Sequence, residues 1–115
     1  MEYTKTPSGL SYNISAEGTG DKPKPGSHVK VHYTGKLENG TVFDSSHKRN
    51  QPLEFQLGVG QVIKGWDEGI ALLSKGGKAT LVIPPDLGYG NRAVGGSLIP
   101  ANSTLIFEVE LVDFK

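Results

Sequence analysis

Residues 29–44 read VKVHYTGKLENGTVFD, and apolar residues alternate with polar ones on both sides of Asn39-Gly40. Strict alternation predicts a half-buried β-strand, because successive side chains of a strand point to opposite faces. Asn-Gly between two such runs is the strongest short signal for a tight hairpin. The stretch therefore predicts two antiparallel strands, over about 27–38 and 41–44, with one face towards a core.

The alternation continues outside this hairpin, and one stretch follows a helical period instead. Trp66, Ile70 and Leu73 recur at the spacing of one helix face, and Gly76-Gly77 would end that helix. Further strands are predicted over 10–14, 53–57, 79–83 and 104–113, with polar loops over 45–51 and 86–103. A lone short helix must bury its apolar face against the sheet. We therefore predict an α+β fold, in which a five- to six-stranded antiparallel sheet curves around one short α-helix.

Length, charge and cysteine content limit what the chain can be. It has 115 residues, so we expect one domain over residues 1–115, with 1–7 as a flexible N-terminal tail. Twelve basic residues balance twelve acidic ones, which argues against binding nucleic acid or an anionic membrane through bulk charge. There is no cysteine, and no apolar run has the length of a signal peptide or a membrane span. We therefore expect a monomer in the cytoplasm.

The usual catalytic constellations are missing from the sequence. His28, His32 and His47 do not stand at zinc-binding spacing, and His32 is expected to be a solvated side chain on the outer face of its strand. No G-x-S-x-G motif is present. The glycine-rich stretch 58–65 resembles a phosphate loop, but Trp66 follows where such a loop needs Lys. We therefore expect no metal, no cofactor and no covalent catalysis.

Six aromatic residues are spread over five separate elements and must lie close together in so small a domain. They are Tyr33, Phe43, Phe55, Trp66, Tyr89 and Phe107. They either form an ordinary core or wall a pocket. Two features favour the pocket: the hydroxyls of Tyr33 and Tyr89 need polar partners if buried, and Tyr89 stands in a glycine-rich loop. Asp44 likewise either caps its loop through the backbone N–H groups of Ser45 or Ser46, or stands at the rim of that pocket.

Several short motifs then occur in one order along the chain. They are 31–35 VHYTG, 40–46 GTVFDSS, 62–66 VIKGW, 88–90 GYG, 99–100 IP and 105–111 LIFEVEL. Together they closely resemble the FKBP-type peptidyl-prolyl isomerases, the macrolide-binding immunophilins, over roughly residues 8–115. The resemblance implies an antiparallel sheet curved around a short helix, a pocket between the two, and acceleration of rotation about X-Pro peptide bonds.

The resemblance also implies which residues form the pocket. The residues implied as catalytic are Tyr33, Phe43, Asp44, Ile63, Trp66, Tyr89 and Phe107, and those implied as substrate-binding are Arg49, Leu53, Gln61, Val62, Leu98 and Ile99. Phe55 is then expected to be structural. Leu53 and Gln61 stand where the family often has an aromatic residue and a Glu, and the loop 91–98 differs from that of well-known members. These departures leave substrate preference and macrolide affinity open.

Each implied residue has an expected role. Trp66 would form the floor of the pocket, while the Tyr89 hydroxyl and the Ile63 N–H would hold substrate carbonyls. Asp44 would supply a negative field near the carbonyl carbon as the bond rotates, with Arg49 nearby.

The implied partners are proline-containing peptides and unfolded protein clients, with macrolides of the tacrolimus and rapamycin type as inhibitors. Neither nucleic acid nor a membrane is expected as a partner. A second interpretation stays open, in which the pocket binds proline-containing peptides or macrolides without accelerating bond rotation. The presence of all seven implied catalytic residues favours the isomerase, since a pure binding module would be expected to have lost some of them.

Overall fold

The computed structural model describes residues 3–90 and 99–115. Its strands are β1 Thr4–Lys5, β2 Ser11–Ala16, β3 His28–Leu37, β4 Val42–Ser45, β5 Leu53–Gln56, β6 Lys78–Ile83 and β7 Leu105–Phe114. One α-helix, α1, spans Lys64–Ile70, and two 3₁₀ helices span Ser46–Arg49 and Pro85–Leu87. Among the described residues, no helix has both the length and the apolar character that crossing a bilayer requires.

The strands form one sheet in the order β1-β2-β6-β7-β3-β4, and β5 also pairs with β3. Every pairing between these strands is antiparallel. The predicted α+β class, an antiparallel sheet with one short helix, is therefore confirmed. The predicted strand number of five to six is too low by one, because β1 is only two exposed residues long and carries no alternating pattern. This strand, Thr4–Lys5, lies inside the segment 1–7 that we expected to be a tail.

The hairpin predicted from Asn39-Gly40 is present between β3 and β4. The Leu37 N–H donates to the Thr41 carbonyl at 2.9 Å, and the Asn39 side chain accepts from the Thr41 N–H at 2.9 Å. Gly40 has φ 90°, a conformation that a side chain would disfavour. The turn sets where β4 begins to pair with β3, and that pairing shifts its register between Gly35 and Lys36.

Two glycines allow α1 to lie close to the sheet. A Cβ built on Gly65 would stand 2.7 Å from Ile83 Cγ2, and one on Gly69 would stand 2.6 Å from Leu81 Cδ1. Both partners belong to β6, so the helix packs backbone-to-side-chain against that strand. The close approach buries Trp66, which is only 3% exposed, between the helix and the sheet.

Candidate active site

A cavity of about 380 Å³ opens between α1, the segment before it and the adjacent sheet face. Its walls are mainly apolar and aromatic, with a few polar groups, which is the usual character of a small-molecule or peptide site. The described residues that line it are Tyr33, Phe43, Asp44, Leu53, Gln61, Val62, Ile63, Trp66, Tyr89 and Phe107. All ten belong to the set that the sequence analysis implied as site residues, so the structure brings these side chains together as expected.

Aromatic rings meet edge-to-face along one side of this cleft. The ring of Trp66 lies 5.0 Å from that of Tyr33 and 5.2 Å from that of Phe107, at interplanar angles of 78° and 86°. Phe43 meets Phe107 at 5.5 Å and 89°. Such edge contacts place the positive rim of one ring against the negative face of the next, and they resist sliding. The cleft therefore has an apolar wall of mutually packed aromatic rings, here called the aromatic wall.

Gly35 is required by this aromatic wall, and the sequence analysis missed its role. It lies on β3 two residues after Tyr33 and is buried. A Cβ at this position would stand 2.7 Å from Phe43 Cζ and 2.8 Å from Phe107 Cε1. The two rings thus occupy the space that any larger residue would need. Only its place in the motif 31–35 singled Gly35 out in the sequence.

A polar cluster borders the aromatic wall. The Tyr33 hydroxyl donates to Asp44 Oδ2 at 2.6 Å. The two terminal nitrogens of Arg49 donate to Asp44 Oδ1 at 3.1 Å and to the Tyr33 hydroxyl at 2.8 Å. The Ser45 N–H also donates to Asp44 Oδ1 at 2.8 Å, so the two alternatives considered for Asp44 both hold. Asp44 caps its own turn and lines the cleft, whereas Arg49 supports the cluster without lining the cleft.

The electrostatic environment keeps this cluster in one charge state at neutral pH. Burial raises the pKa of Asp44, but hydrogen bonds from Tyr33, Arg49 and the Ser45 N–H outweigh it, so the pKa lies below its usual value. Burial and the hydrogen bond to Asp44 raise the pKa of Tyr33. Burial and the nearby Asp44 charge also raise the pKa of Tyr89. The site therefore holds one carboxylate beside two neutral phenols.

The opposite wall is held by Asp67, whose role the sequence analysis also missed. Asp67 Oδ1 accepts from the Gly58 N–H at 2.9 Å, and Oδ2 accepts from the Gly60 N–H at 3.1 Å. The helix thereby holds the turn that leads into the cleft residues Gln61 and Val62. The sequence shows Asp67 only as an acidic residue near the start of the helix, a position that suits the helix dipole by itself.

Three hydrogen-bond donors at the cleft have no partner among the described residues. The Tyr89 hydroxyl makes no hydrogen bond there and the Ile63 N–H donates none, although the Ile63 carbonyl accepts from Trp66 N at 3.0 Å. The buried indole nitrogen of Trp66 is likewise unpaired within the described ranges. Buried polar groups are normally satisfied, so the unpaired indole N–H of Trp66 is typical of a site that receives a hydrogen-bond acceptor. The Tyr89 hydroxyl and the Ile63 N–H are less buried and can donate to an acceptor in the same cleft.

The remaining predicted residues lie elsewhere or outside the described part of the chain. Ile99 is 4% exposed and belongs to the hydrophobic core, not to the described lining of the cleft. Leu98 falls outside the described residues. Phe55 is buried and packs its ring 5.8 Å from Trp66 without lining the cleft, in agreement with its expected structural role.

His32 departs from its expected environment. It lies on the outer face of β3 as predicted, but it is half-buried rather than solvated. Its Nδ1 is 2.8 Å from Ser46 Oγ, and its ring stacks on that of His47 at 4.5 Å. Alternation along a strand indicates the face of a residue but not what the following loop packs onto that face, which is why the sequence did not predict these contacts.

Comparison with known proteins assigns the chain to a family. The family model described as "FKBP-type peptidyl-prolyl cis-trans isomerase" matches residues 20–112. The chain belongs to this FKBP-type isomerase family. It is 58% identical over 107 residues to "FK506-binding protein 1" of Dictyostelium discoideum, covering 93% of this chain and 99% of that protein.

Some of the similar proteins are longer than the segment they share with this chain, and others are matched in full. The "Probable FKBP-type peptidyl-prolyl cis-trans isomerase" of Haemophilus influenzae is 61% identical over 108 residues, which are 94% of this chain but 44% of that protein. The crystal structure of FkpA from Escherichia coli matches with a TM-score of 0.90 and 47% identity, over 98% of this chain and 51% of that one. The crystal structure of AtFKBP13 matches over 100% of both chains, with a TM-score of 0.91 and 46% identity.

Proposed function

We propose that this chain accelerates rotation about X-Pro peptide bonds of proteins and peptides, in the cleft lined by the aromatic wall and without covalent catalysis. One observation carries the proposal: an apolar, aromatic cleft borders the Asp44 carboxylate and contains donors that are free in the described structure. This combination offers stabilisation to a rotating amide and needs no nucleophile or cofactor.

The physical basis is the polarity of the amide. Resonance gives the C–N bond partial double-bond character, and rotation about it meets a barrier of about 18–20 kcal/mol. The planar amide is more polar than the twisted one, so water stabilises the planar ground state more than the transition state. Moving the bond into an apolar cleft removes that difference. Each tenfold acceleration requires about 1.4 kcal/mol of preferential stabilisation of the twisted form.

We assign a role to individual residues of the cleft as part of this proposal. The proline ring packs against the Trp66 floor between the aromatic walls. The Tyr89 hydroxyl and the Ile63 N–H, both free among the described residues, donate to substrate carbonyls. The Asp44 carboxylate, which accepts from the Tyr33 hydroxyl, supplies a negative field near the substrate carbonyl carbon as the bond rotates.

We further propose that macrolides of the tacrolimus and rapamycin type occupy the same cleft and inhibit the reaction. Support comes from relatives named as FK506-binding proteins, and from a cleft that is apolar with polar groups at its edge. We also propose that the chain acts on unfolded protein clients, that it works as a monomer and that it is located in the cytoplasm.

A proline-limited peptide isomerisation assay, with rapamycin as competitor, tests the function directly. The proposal expects acceleration that is proportional to protein concentration and is lost when rapamycin is added. If the chain is instead a binding module, rapamycin should bind, as measured by quenching of Trp66 fluorescence, but micromolar protein should not accelerate isomerisation. Acceleration that rapamycin leaves unchanged would count against both.

A further inference from the structure

The edge of β3 that faces β4 and β5 is interrupted at the cleft. Strand β5 pairs with residues 28–31 of β3, and β4 pairs with residues 34–36. The described pairings leave His32 and Tyr33 between these two segments without a strand partner on that edge. In an antiparallel ladder, the N–H and C=O of one residue point to the same neighbour. The Tyr33 backbone groups therefore need another partner in a buried place.

The side chain of Ser46 is that partner. Its hydroxyl oxygen accepts from the Tyr33 N–H at 2.8 Å and lies 3.4 Å from the Tyr33 carbonyl oxygen. The same hydroxyl is 2.8 Å from His32 Nδ1, so it has a third polar neighbour besides the two Tyr33 backbone groups. Ser46 is 0% exposed, so no water replaces it without rearrangement. A single serine hydroxyl thus takes the place of the missing strand at Tyr33.

Ser46 is also the first residue of the 3₁₀ helix Ser46–Arg49, here called the rim helix. The last residue of the rim helix, Arg49, contacts the Tyr33 hydroxyl and the Asp44 carboxylate. The rim helix therefore holds Tyr33 twice, at its backbone through Ser46 and at its hydroxyl through Arg49. Both contacts bear on the residue that orients Asp44 at the cleft.

We propose that Ser46 is a positioning residue for the isomerase reaction: its hydroxyl fixes Tyr33 and the rim helix relative to each other, and so sets the Tyr33–Asp44–Arg49 cluster. This inference rests on the proposed function. Ser46 itself is not among the described residues that line the cleft. The rival explanation is that the Ser46 hydroxyl only stabilises the fold, and the two explanations differ in how its effect depends on the Tyr33 hydroxyl.

The test compares Ser46→Ala in the wild-type chain and in a Tyr33→Phe background. We expect Ser46→Ala to lower kcat/KM by about fivefold in the wild type and by less than about twofold beside Tyr33→Phe, because residues that act as a unit are not additive. Faster exchange of the Tyr33 amide hydrogen should accompany the loss. Equal factors in both backgrounds, or an unchanged kcat/KM with a lowered Tm, would overturn the positioning role.

The matched control is Ser15→Ala on β2, a strand that pairs with β1 and β6 and not with β3. Ser15 is exposed and its hydroxyl donates to the Lys78 carbonyl, so kcat/KM should stay at the wild-type value. If Ser46→Ala does not fold, Ser46→Cys keeps a polar atom on Cβ, in a larger group that hydrogen-bonds more weakly. If Ser46→Cys lowers kcat/KM in the wild-type chain but not beside Tyr33→Phe, positioning is again supported. If Ser46→Cys leaves kcat/KM unchanged, the positioning role is overturned.

Rapamycin affinity separates failure of this inference from failure of the proposed function. A wild-type chain that accelerates no proline peptide would remove the isomerase proposal. The same variants are then compared by the Kd for rapamycin, read from Trp66 fluorescence. A several-fold weaker Kd for Ser46→Ala that disappears in the Tyr33→Phe background supports positioning of the cluster. An unchanged Kd contradicts it.

Discussion

The Tyr33 hydroxyl donates a 2.6 Å hydrogen bond to Asp44, and this contact joins the aromatic wall of the cleft to its only described acidic lining residue. The ring of Tyr33 packs edge-to-face on Trp66, while its oxygen holds the carboxylate. One side chain therefore fixes both the apolar floor and the direction of the negative charge. The proposed catalysis requires these two features at the same place.

Replacing Asp44 by Asn tests the contribution of the negative charge. Asp44→Asn keeps the shape and one acceptor oxygen for Tyr33 but removes the charge. We expect kcat/KM to fall by about fivefold, equivalent to about 1 kcal/mol of transition-state stabilisation, with little change in KM. Peptide isomerisation kinetics measure it, with the exposed Asp86→Asn as the matched control. An unchanged kcat/KM would remove Asp44 from the mechanism.

The pH dependence of stability follows from the same cluster. Because the folded-state pKa of Asp44 lies below its unfolded value, its contribution to stability is fully present above the unfolded pKa of about 4. That contribution is lost as the pH falls through the lower, folded-state pKa. The difference in unfolding free energy between wild type and Asp44→Asn should thus be constant from pH 5 to 8 and shrink below about pH 4. Urea unfolding at several pH values measures it, and a difference that grows on acidification would contradict the cluster.

Gly35→Ala tests the aromatic wall. The new Cβ would overlap the rings of Phe43 and Phe107, which must move into the cleft or apart. We expect a loss of about 1–3 kcal/mol in stability from overpacking, together with a fall in kcat/KM of at least about tenfold. Gly69→Ala is the matched control, since its Cβ would meet Leu81 and no cleft residue. Gly69→Ala should lower Tm by a similar amount, while its affinity for rapamycin stays within twofold of the wild-type value. If Gly35→Ala and Gly69→Ala lose rapamycin affinity equally, the result would count against the aromatic wall.

Asp67→Ala tests the opposite side of the cleft. Removing the carboxylate leaves the Gly58 and Gly60 N–H groups without their acceptor, so the turn before Gln61 loosens. We expect a several-fold rise in KM with a smaller change in kcat, because the turn positions groups that bind the peptide chain. Peptide kinetics and amide exchange at the two glycines provide the readout. Unaltered exchange there would show that the turn holds its own conformation.

The control for Asp67→Ala is Glu68→Ala, one position further along α1. The Glu68 carboxylate accepts from the Ser8 hydroxyl at 2.5 Å and does not line the cleft. Its removal is expected to leave KM within twofold of the wild-type value. A rise in KM equal to that of Asp67→Ala would mean that any charge lost from the helix disturbs the cleft.

Local patterns predicted the hairpin and the inner face of β3 well. Asn39-Gly40 fixes its turn through its own backbone preferences, and the alternation around Tyr33 follows from the pleat. The cleft itself did not follow from local pattern, since six aromatic residues are equally consistent with an ordinary core. The ordered motifs, through the family resemblance, separated Phe55 from the rings that line the cleft.

The residues that the sequence missed act through contacts distant along the chain. Gly35 matters because the rings of Phe43 and Phe107 meet above it, and nothing next to Gly35 in the sequence indicates this. Ser46 matters because β5 and β4 pair with β3 on either side of Tyr33 and leave a gap in the edge of β3 between them. This gap is visible only once the pairing of both strands is known. Such roles depend on strand register and tertiary packing, which propensity and periodicity do not encode.

Titration of catalysis with rapamycin tests the central claim most directly. The cis–trans exchange rate of a proline peptide is measured by NMR at micromolar protein while rapamycin is added in steps. If rotation is accelerated in the aromatic cleft, the exchange rate should fall linearly and reach the uncatalysed rate at one equivalent, in step with the quenching of Trp66. Exchange that stays accelerated when Trp66 quenching is complete would contradict catalysis in this cleft.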